Sequence, residues 1–351
     1  MRREYFSLPS VALLTLFVLA GTAGCNQSSN TASIPQAGNL TESSVGRDGG
    51  SSGFLYVLSE VDVKDGLIAV YSGSPLKYVR EIQAGLSIPT SMVANAQGQL
   101  FVSNFFSENV PIYKPNGTKP VRILSKDLKE PMQVAVTSKN DAYVRGKRVI
   151  TIFLNSHNKQ TKTIRMPALR LATDAASNVY AIGSKDNTIF VFPPEGIKPS
   201  REITQGLDNP QNLIADSSGN LYVANDSSSG CGNITVYDAA SSTVKYTITD
   251  GVCSPLAMTF DPAGNLYVGN DAEDSVTEYA AGTNSLVETI SKGIKLPTYL
   301  TTDASGTLYV ANYGQSFTGD ITIYPQGHTT PSETLTKNIG LPTGLVWLPG
   351  Q

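Results

Sequence analysis

The sequence predicts an all-β protein, a seven-bladed β-propeller of four-stranded antiparallel blades. A short apolar strand with a central aromatic residue occurs seven times, at spacings of 45, 42, 37, 42, 45 and 42 residues. A second apolar strand pattern follows each copy, so no repeat lacks it. Such a period is typical of one closed array of sheets. The aromatic residues that mark the repeats are Tyr56, Phe101, Tyr143, Tyr180, Tyr222, Tyr267 and Tyr309.

Two segments precede the first repeat. Arg2 and Arg3, the apolar run 11–20 and the small residues up to Cys25 predict a secretory signal over residues 1–25. The stretch that ends in Cys25 resembles the bacterial lipobox, although Thr22 stands where that motif usually has leucine. The resemblance implies that Cys25 becomes the lipid-modified first residue of the mature protein, and ordinary signal cleavage is the alternative. Residues 26–52, rich in Ser, Asn, Gly and Thr, predict a flexible tether before the propeller at 53–351.

These segments predict an exported protein of the bacterial cell envelope that a lipid holds at a membrane. Asn26 follows the cysteine where an acidic residue would retain a lipoprotein at the inner membrane, so the resemblance implies the outer membrane or the cell surface. The net charge of −3 gives no overall basic field, which argues against nucleic acid as a partner.

The fifth repeat shows how one blade is built. Its four strand segments begin at Gln211, Leu221, Ile234 and Lys245 and are separated by polar turns. The first repeat instead begins at its second strand, near Gly53, and an extra first strand at 343–348 ends the chain. We therefore expect the C-terminal strand to complete the N-terminal blade and close the ring, which removes exposed sheet edges.

The turns between the first two strands carry a recurring motif. Asp-x-x-Gly-Asn-Leu-Tyr-Val at 216–223 and 261–268, together with a proline before the first strands, resembles the NHL-repeat proteins and related lyase- and lactonase-like propellers. The resemblance implies a propeller over residues 53–351 but does not decide among the activities of these families. The aspartates of these turns are predicted to hold the turn by hydrogen bonds to the backbone, and they are Asp174, Asp216, Asp261 and Asp303.

Two cysteines are left if Cys25 is lipidated. Cys231 follows the second strand of the fifth repeat, and Cys253 lies in the segment that leads into the sixth. Loops of these two kinds lie on the same face of a propeller, so we predict a disulfide, with two free thiols as the alternative.

The same face receives the starts of the innermost strands, and we predict a ligand-binding channel mouth there. Arg170 interrupts an innermost strand, where a lone charge is costly unless it is paired or faces water. The alternatives are that the asparagines cap turns and that the charges are solvated loop residues. The candidate mouth residues are Gln133, Arg145, Arg170, Asn212, Asn225, Asn270, Tyr299 and Asn312.

The pattern favours a membrane-tethered binding or scaffolding platform for a protein, peptide or glycan, with no cofactor and no catalytic residue predicted. His157 and His328 follow third strands and belong to the opposite face, away from the mouth. The alternative is a metal-dependent lyase- or lactonase-like enzyme. The lactonase-like propellers use carboxylates and asparagines around a divalent ion, which Asn212, Asn225, Asn270 and Asp271 match only in part.

One acidic group is a separate candidate for a cation. Asp271, Glu273 and Asp274 supply hard oxygen ligands of the kind that Ca²⁺ prefers, although their spacing matches no defined calcium loop.

Overall fold

The computed structural model describes residues 53–61, 65–159, 161–227, 231–313 and 318–350. These residues form 28 β-strands and one turn of 3-10 helix at Leu154–Ser156. The predicted signal at 1–25, with its lipidation residue Cys25, and the tether at 26–52 lie outside the described residues. No helix within the described ranges is both long enough and apolar enough to cross a membrane.

The strands form seven four-stranded antiparallel sheets, one for each sequence repeat, which confirms the predicted fold class. Blade 1 contains β1 (Gly53–Glu60), β2 (Gly66–Ser72), β3 (Lys77–Ile82) and, as its first strand, β28 (Leu341–Pro349). Blade 2 contains β4 (Pro89–Ala94), β5 (Leu100–Asn104), β6 (Val110–Tyr113) and β7 (Pro120–Leu124). Blade 3 contains β8 (Gln133–Val136), β9 (Ala142–Arg145), β10 (Ile150–Phe153) and β11 (Thr161–Ile164). Blade 4 contains β12 (Ala168–Thr173), β13 (Val179–Gly183), β14 (Ile189–Phe192) and β15 (Arg201–Ile203).

Blades 5 to 7 repeat the same order of strands. Blade 5 contains β16 (Pro210–Ala215), β17 (Leu221–Asn225), β18 (Asn233–Tyr237) and β19 (Val244–Ile248). Blade 6 contains β20 (Pro255–Phe260), β21 (Leu266–Asn270), β22 (Ser275–Tyr279) and β23 (Leu286–Ile290). Blade 7 contains β24 (Pro297–Thr302), β25 (Leu308–Asn312), β26 (Asp320–Tyr324) and β27 (Glu333–Leu335).

The ring closes through blade 1, as the sequence predicts. β28 pairs with β1 from Gly53 opposite Pro349 to Glu60 opposite Leu341. The strand is longer than the predicted 343–348 because Leu341 and Pro342 also pair, beyond a bulge. The first strands of successive blades contact one another around the whole ring, from β4 to β28 and back to β4.

The hydrophobic core lies between the blades. The structure contains seven apolar clusters among the described residues, and each fills the space between two neighbouring blades. Alternate residues of β1 face opposite neighbours, so Leu55 packs towards blade 7 and Tyr56 towards blade 2. Burial on both faces explains why the second strands read as continuous apolar runs rather than as alternating ones.

The aspartate turns have the predicted chemistry. One carboxylate oxygen of Asp216 accepts the N–H groups of Ser218 and Asn220, and the other accepts the Asn220 side-chain amide. Gly219 follows with a φ of +83°, a conformation that a residue with a β-carbon rarely adopts. These aspartates therefore fix the blade geometry.

Candidate functional site

The antiparallel blades give the propeller two different faces. We call the face that carries the loops between second and third strands, and the connections from each blade to the next, the mouth face. The other face carries the turns between first and second strands and the loops between third and fourth strands. Gly53 and Pro349 pair on this opposite face, so the propeller begins and ends there. His157 follows β10 and His328 follows β26, and both are exposed on the opposite face.

Near the mouth face, the seven innermost strands place one residue each at the same level of the ring. In six blades a bulge lies immediately before this residue, which sets the direction of its side chain. We call these residues the mouth ring, and they are Ser91, Gln133, Arg170, Asn212, Ala257, Tyr299 and Gly344.

The polar residues of the mouth ring bond to the next blade. The Gln133 side chain both donates to and accepts from the backbone of Leu171 at 2.9 Å. Asn212 Nδ2 donates to the Leu256 carbonyl at 2.8 Å, and Ser91 Oγ accepts the N–H of Val134 at 3.1 Å. These contacts join blade 2 to blade 3, blade 3 to blade 4, and blade 5 to blade 6.

The two candidate arginines make the same kind of contact. Arg145 Nη1 donates to the Ala168 carbonyl at 2.9 Å, and Arg170 Nε donates to the Gln211 carbonyl at 3.2 Å. Burial lowers the pKa of Arg170 to about 9 and that of Arg145 to about 10, so both remain charged at neutral pH. Only 1% of Arg170 and 6% of Arg145 is exposed. Neither arginine is therefore a solvated loop residue, which was the alternative that the sequence left open.

The mouth ring is closed. Of its members, Arg170, Asn212 and Tyr299 expose 1%, 3% and 0% of their surface, and Gln133 exposes 3%. The Tyr299 ring packs into the apolar cluster between blades 7 and 1. A large ligand therefore meets the loops of the mouth face rather than an open channel.

The candidate asparagines hold loops. Asn225 Oδ1 accepts the Asp208 N–H, and its Nδ2 donates to the Gly206 carbonyl, in the connection that enters blade 5. Asn312 contacts the Lys295 N–H and the Gly293 carbonyl in the same way. Asn270 accepts the N–H of Cys253. These contacts support the turn-capping alternative, and a ligand-binding role for these residues stays a prediction.

A disulfide joins Cys231 and Cys253, as predicted. It links the loop after the second strand of blade 5 to the connection that enters blade 6, and so braces the mouth face. A carboxylate oxygen of Glu273 lies within 4.8 Å of both sulfur atoms. Because the sulfur atoms are bonded to each other, they are not the thiolates that a metal such as zinc requires.

The acidic candidates for a cation have different surroundings. Asp274 accepts the N–H of Leu296 at 2.8 Å and pairs with the Lys295 ammonium, so its carboxylate already holds a loop. Burial raises the pKa of Asp271 to about 6, with smaller contributions from Asp274 and Asp226. Glu273 is exposed.

The residues that match the lactonase-like propellers do not fit a divalent-ion site. The side-chain oxygens of Asn225 and Asn270 accept loop N–H groups, and that of Asn212 accepts the N–H of Leu213. The amide oxygens therefore already accept hydrogen bonds from the backbone. Asp271 is the one carboxylate of the four residues, whereas an ion such as Ca²⁺ takes six to eight oxygen ligands.

Sequence reasoning missed the apolar part of the mouth face. Phe106, in the loop after the second strand of blade 2, is 67% exposed, and Val61, in the equivalent loop of blade 1, is 48% exposed. The pair Phe105–Phe106 in an otherwise polar loop was the available signal.

Neither a scan against protein-family models nor a search of curated proteins finds a match to this chain.

Proposed function

We propose that the chain is an exported, lipid-anchored propeller, similar in its repeats to the NHL-repeat proteins, whose mouth face binds a protein, peptide or glycan. The observation that carries the proposal is the closed mouth ring: Arg170 and Tyr299 are almost fully buried. A closed channel leaves the wide loop surface as the place where a large partner can bind.

The mouth face has features that suit this role. The Cys231–Cys253 disulfide braces its loops, which lowers the entropic cost of binding. Phe106 offers an exposed aromatic side chain, the residue type that anchors many interfaces. The disulfide also agrees with an oxidising compartment outside the cytoplasm.

The position of Gly53 suggests how the face would be presented. β1 begins on the opposite face, so a tether at 26–52 would join the propeller there and not at the mouth face. A flexible chain of that length has a root-mean-square span of about 30 Å. The propeller would therefore stay near the membrane with its mouth face free.

The anchor is tested by lipid labelling. Cells that express the full chain, the Cys25→Ser variant or the Cys231→Ser/Cys253→Ser variant are labelled with a fatty-acid analogue and fractionated. We expect label and membrane association in the wild type and the double variant, and neither in Cys25→Ser. Label that survives in Cys25→Ser would exclude the proposed anchor.

The binding face is tested with a matched pair of variants. Phe106→Asp alters the mouth face, whereas Ile197→Asp alters a side chain that is 51% exposed in a loop of the opposite face. Envelope partners are recovered by cross-linking to the full chain and quantified. A partner lost in Phe106→Asp and kept in Ile197→Asp supports the platform. Equal recovery with both variants would exclude Phe106 from the binding surface and contradict the proposed binding face. A tightly held divalent ion in the purified protein would favour the enzyme alternative.

A further inference from the structure

Buried hydrogen-bond donors without an acceptor lie in the mouth ring and directly beside it, at the end of the second strand of blade 3. Nη1 of Arg170, Nε of Arg145 and the hydroxyl of Tyr299 are buried and lack a partner. All three side chains are more than nine-tenths buried, with exposures of 1%, 6% and 0%. Buried polar atoms in native proteins are almost always bonded, so three unpartnered donors in this region call for an acceptor.

The two guanidinium groups also lack a counter-charge. Among the described residues, no carboxylate lies within salt-bridge distance of Arg145 or Arg170. The Glu60 carboxylate interacts electrostatically with the Tyr299 hydroxyl, but it forms no ion pair with Arg145 or Arg170. Two like charges buried without a carboxylate are costly, and a water molecule supplies an acceptor but no charge.

The groups act on one another across the ring. Arg170 belongs to blade 4 and Tyr299 to blade 7, on the far side of the channel. The Arg170 guanidinium nevertheless interacts electrostatically with both the Tyr299 hydroxyl and the Arg145 charge. The donors and the positive charge are thus concentrated at one level of the channel.

We propose that the mouth ring holds one small monovalent anion, of the size of chloride or formate, which accepts hydrogen bonds from Arg170 Nη1 and the Tyr299 hydroxyl and is held by the Arg145 charge. The anion is small because the ring is closed to solvent. It offsets one of the two positive charges and gives both Arg170 Nη1 and the Tyr299 hydroxyl an acceptor. This site is independent of any partner on the mouth face.

The test is a comparison of melting temperatures, measured on the full chain purified in detergent. The protein is melted in sodium chloride, sodium bromide, sodium formate and sodium gluconate, all at the same ionic strength. We expect a saturable rise of about 3 to 5 °C with the small anions at a large excess over Kd, and none with gluconate, whose anion is too large. Equal melting temperatures in all four salts would overturn the proposal. Bromide anomalous scattering from a crystal should place one peak between Arg170 and Tyr299.

Two variants and a control separate this site from a general salt effect. Arg170→Met should lose the rise in melting temperature that small anions cause. Arg201→Met should keep that rise, because Arg201 also has an unpartnered buried Nε but lies on the outermost strand of blade 4. Tyr299→Phe should be at least as stable as the wild type in gluconate and less stable in chloride. The same stability difference in both salts would show a purely structural tyrosine and overturn the proposal, even if Arg170→Met failed to fold.

Discussion

Gln133 in blade 3 forms with Leu171 in blade 4 the two hydrogen bonds that a paired peptide would form. Its Nε2 donates to the Leu171 carbonyl and its Oε1 accepts the Leu171 N–H, both at 2.9 Å. Each blade is a separate sheet, so no backbone ladder joins blade 3 to blade 4. The amide side chain supplies that connection near the centre of the ring, where the apolar clusters end.

We expect Gln133→Leu to lower the free energy of unfolding by about 2 to 3 kcal/mol. The substitution leaves the buried N–H and carbonyl of Leu171 without partners, and each such group is costly. The measurement is urea unfolding. Gln83→Leu is the control, because the Gln83 side chain is exposed and, among the described residues, bonds only to Glu81. It should change stability by less than about 0.5 kcal/mol. Equal effects of the two variants would contradict this role of Gln133.

Reduction of the Cys231–Cys253 disulfide should lower the free energy of unfolding by about 3 kcal/mol. The two residues are separated by 22 positions, and opening a loop of that length restores the corresponding entropy to the unfolded chain. Unfolding with and without reductant measures the effect. The Cys231→Ser/Cys253→Ser variant should be insensitive to reductant, and a wild type that is equally insensitive would contradict the prediction.

The fold could be predicted from the sequence almost completely. The spacing of residues such as Tyr222 and Tyr267 fixes the number of blades, and the strand at 343–348 fixes how the ring closes. Both features are local patterns that repeat, so seven weak signals reinforce one another. Leu341 and Pro342 were missed as part of the last strand, since a proline ordinarily marks the start of a strand rather than its interior.

The candidate site was predicted only in part. The positions of Arg170 and Tyr299 in the ring followed from the repeat, but the direction of their side chains depends on a bulge that no residue type announces. The burial of Arg145 was missed because its acceptor, the Ala168 carbonyl, belongs to another blade. The disulfide was predictable, since it depends only on which loops share a face.

Deletion of residues 343–351 should prevent the propeller from forming one cooperative unit. The deletion removes most of β28 and exposes the edge of β1. It also removes Leu345, Val346 and Leu348 from the core, and burial of each such side chain stabilises the fold by about 1.5 to 3 kcal/mol. Thermal unfolding followed by circular dichroism should lose its sharp transition. Deletion of residues 350–351 alone is the control and should leave the transition unchanged. A sharp transition at the wild-type temperature after the longer deletion would contradict ring closure by β28.

Asp271 should make the protein less stable as the pH rises from about 4 to about 6. Burial raises the pKa of this carboxyl from 3.8 to about 6 in the folded protein, so the folded state binds the proton more tightly than the unfolded state does. Below about pH 4 the group is protonated in both states, and above about pH 6 its buried charge destabilises the fold. Asp271→Asn should therefore be more stable than the wild type at about pH 8, by about 1 kcal/mol after allowance for the side chain's partial contact with solvent, and the difference should vanish near pH 4. Urea unfolding across this range measures it, with Glu273→Gln, at an exposed neighbour, as the control. A stability difference that stays constant from about pH 4 to about pH 8 would show that the substitution acts through packing and not through the charge.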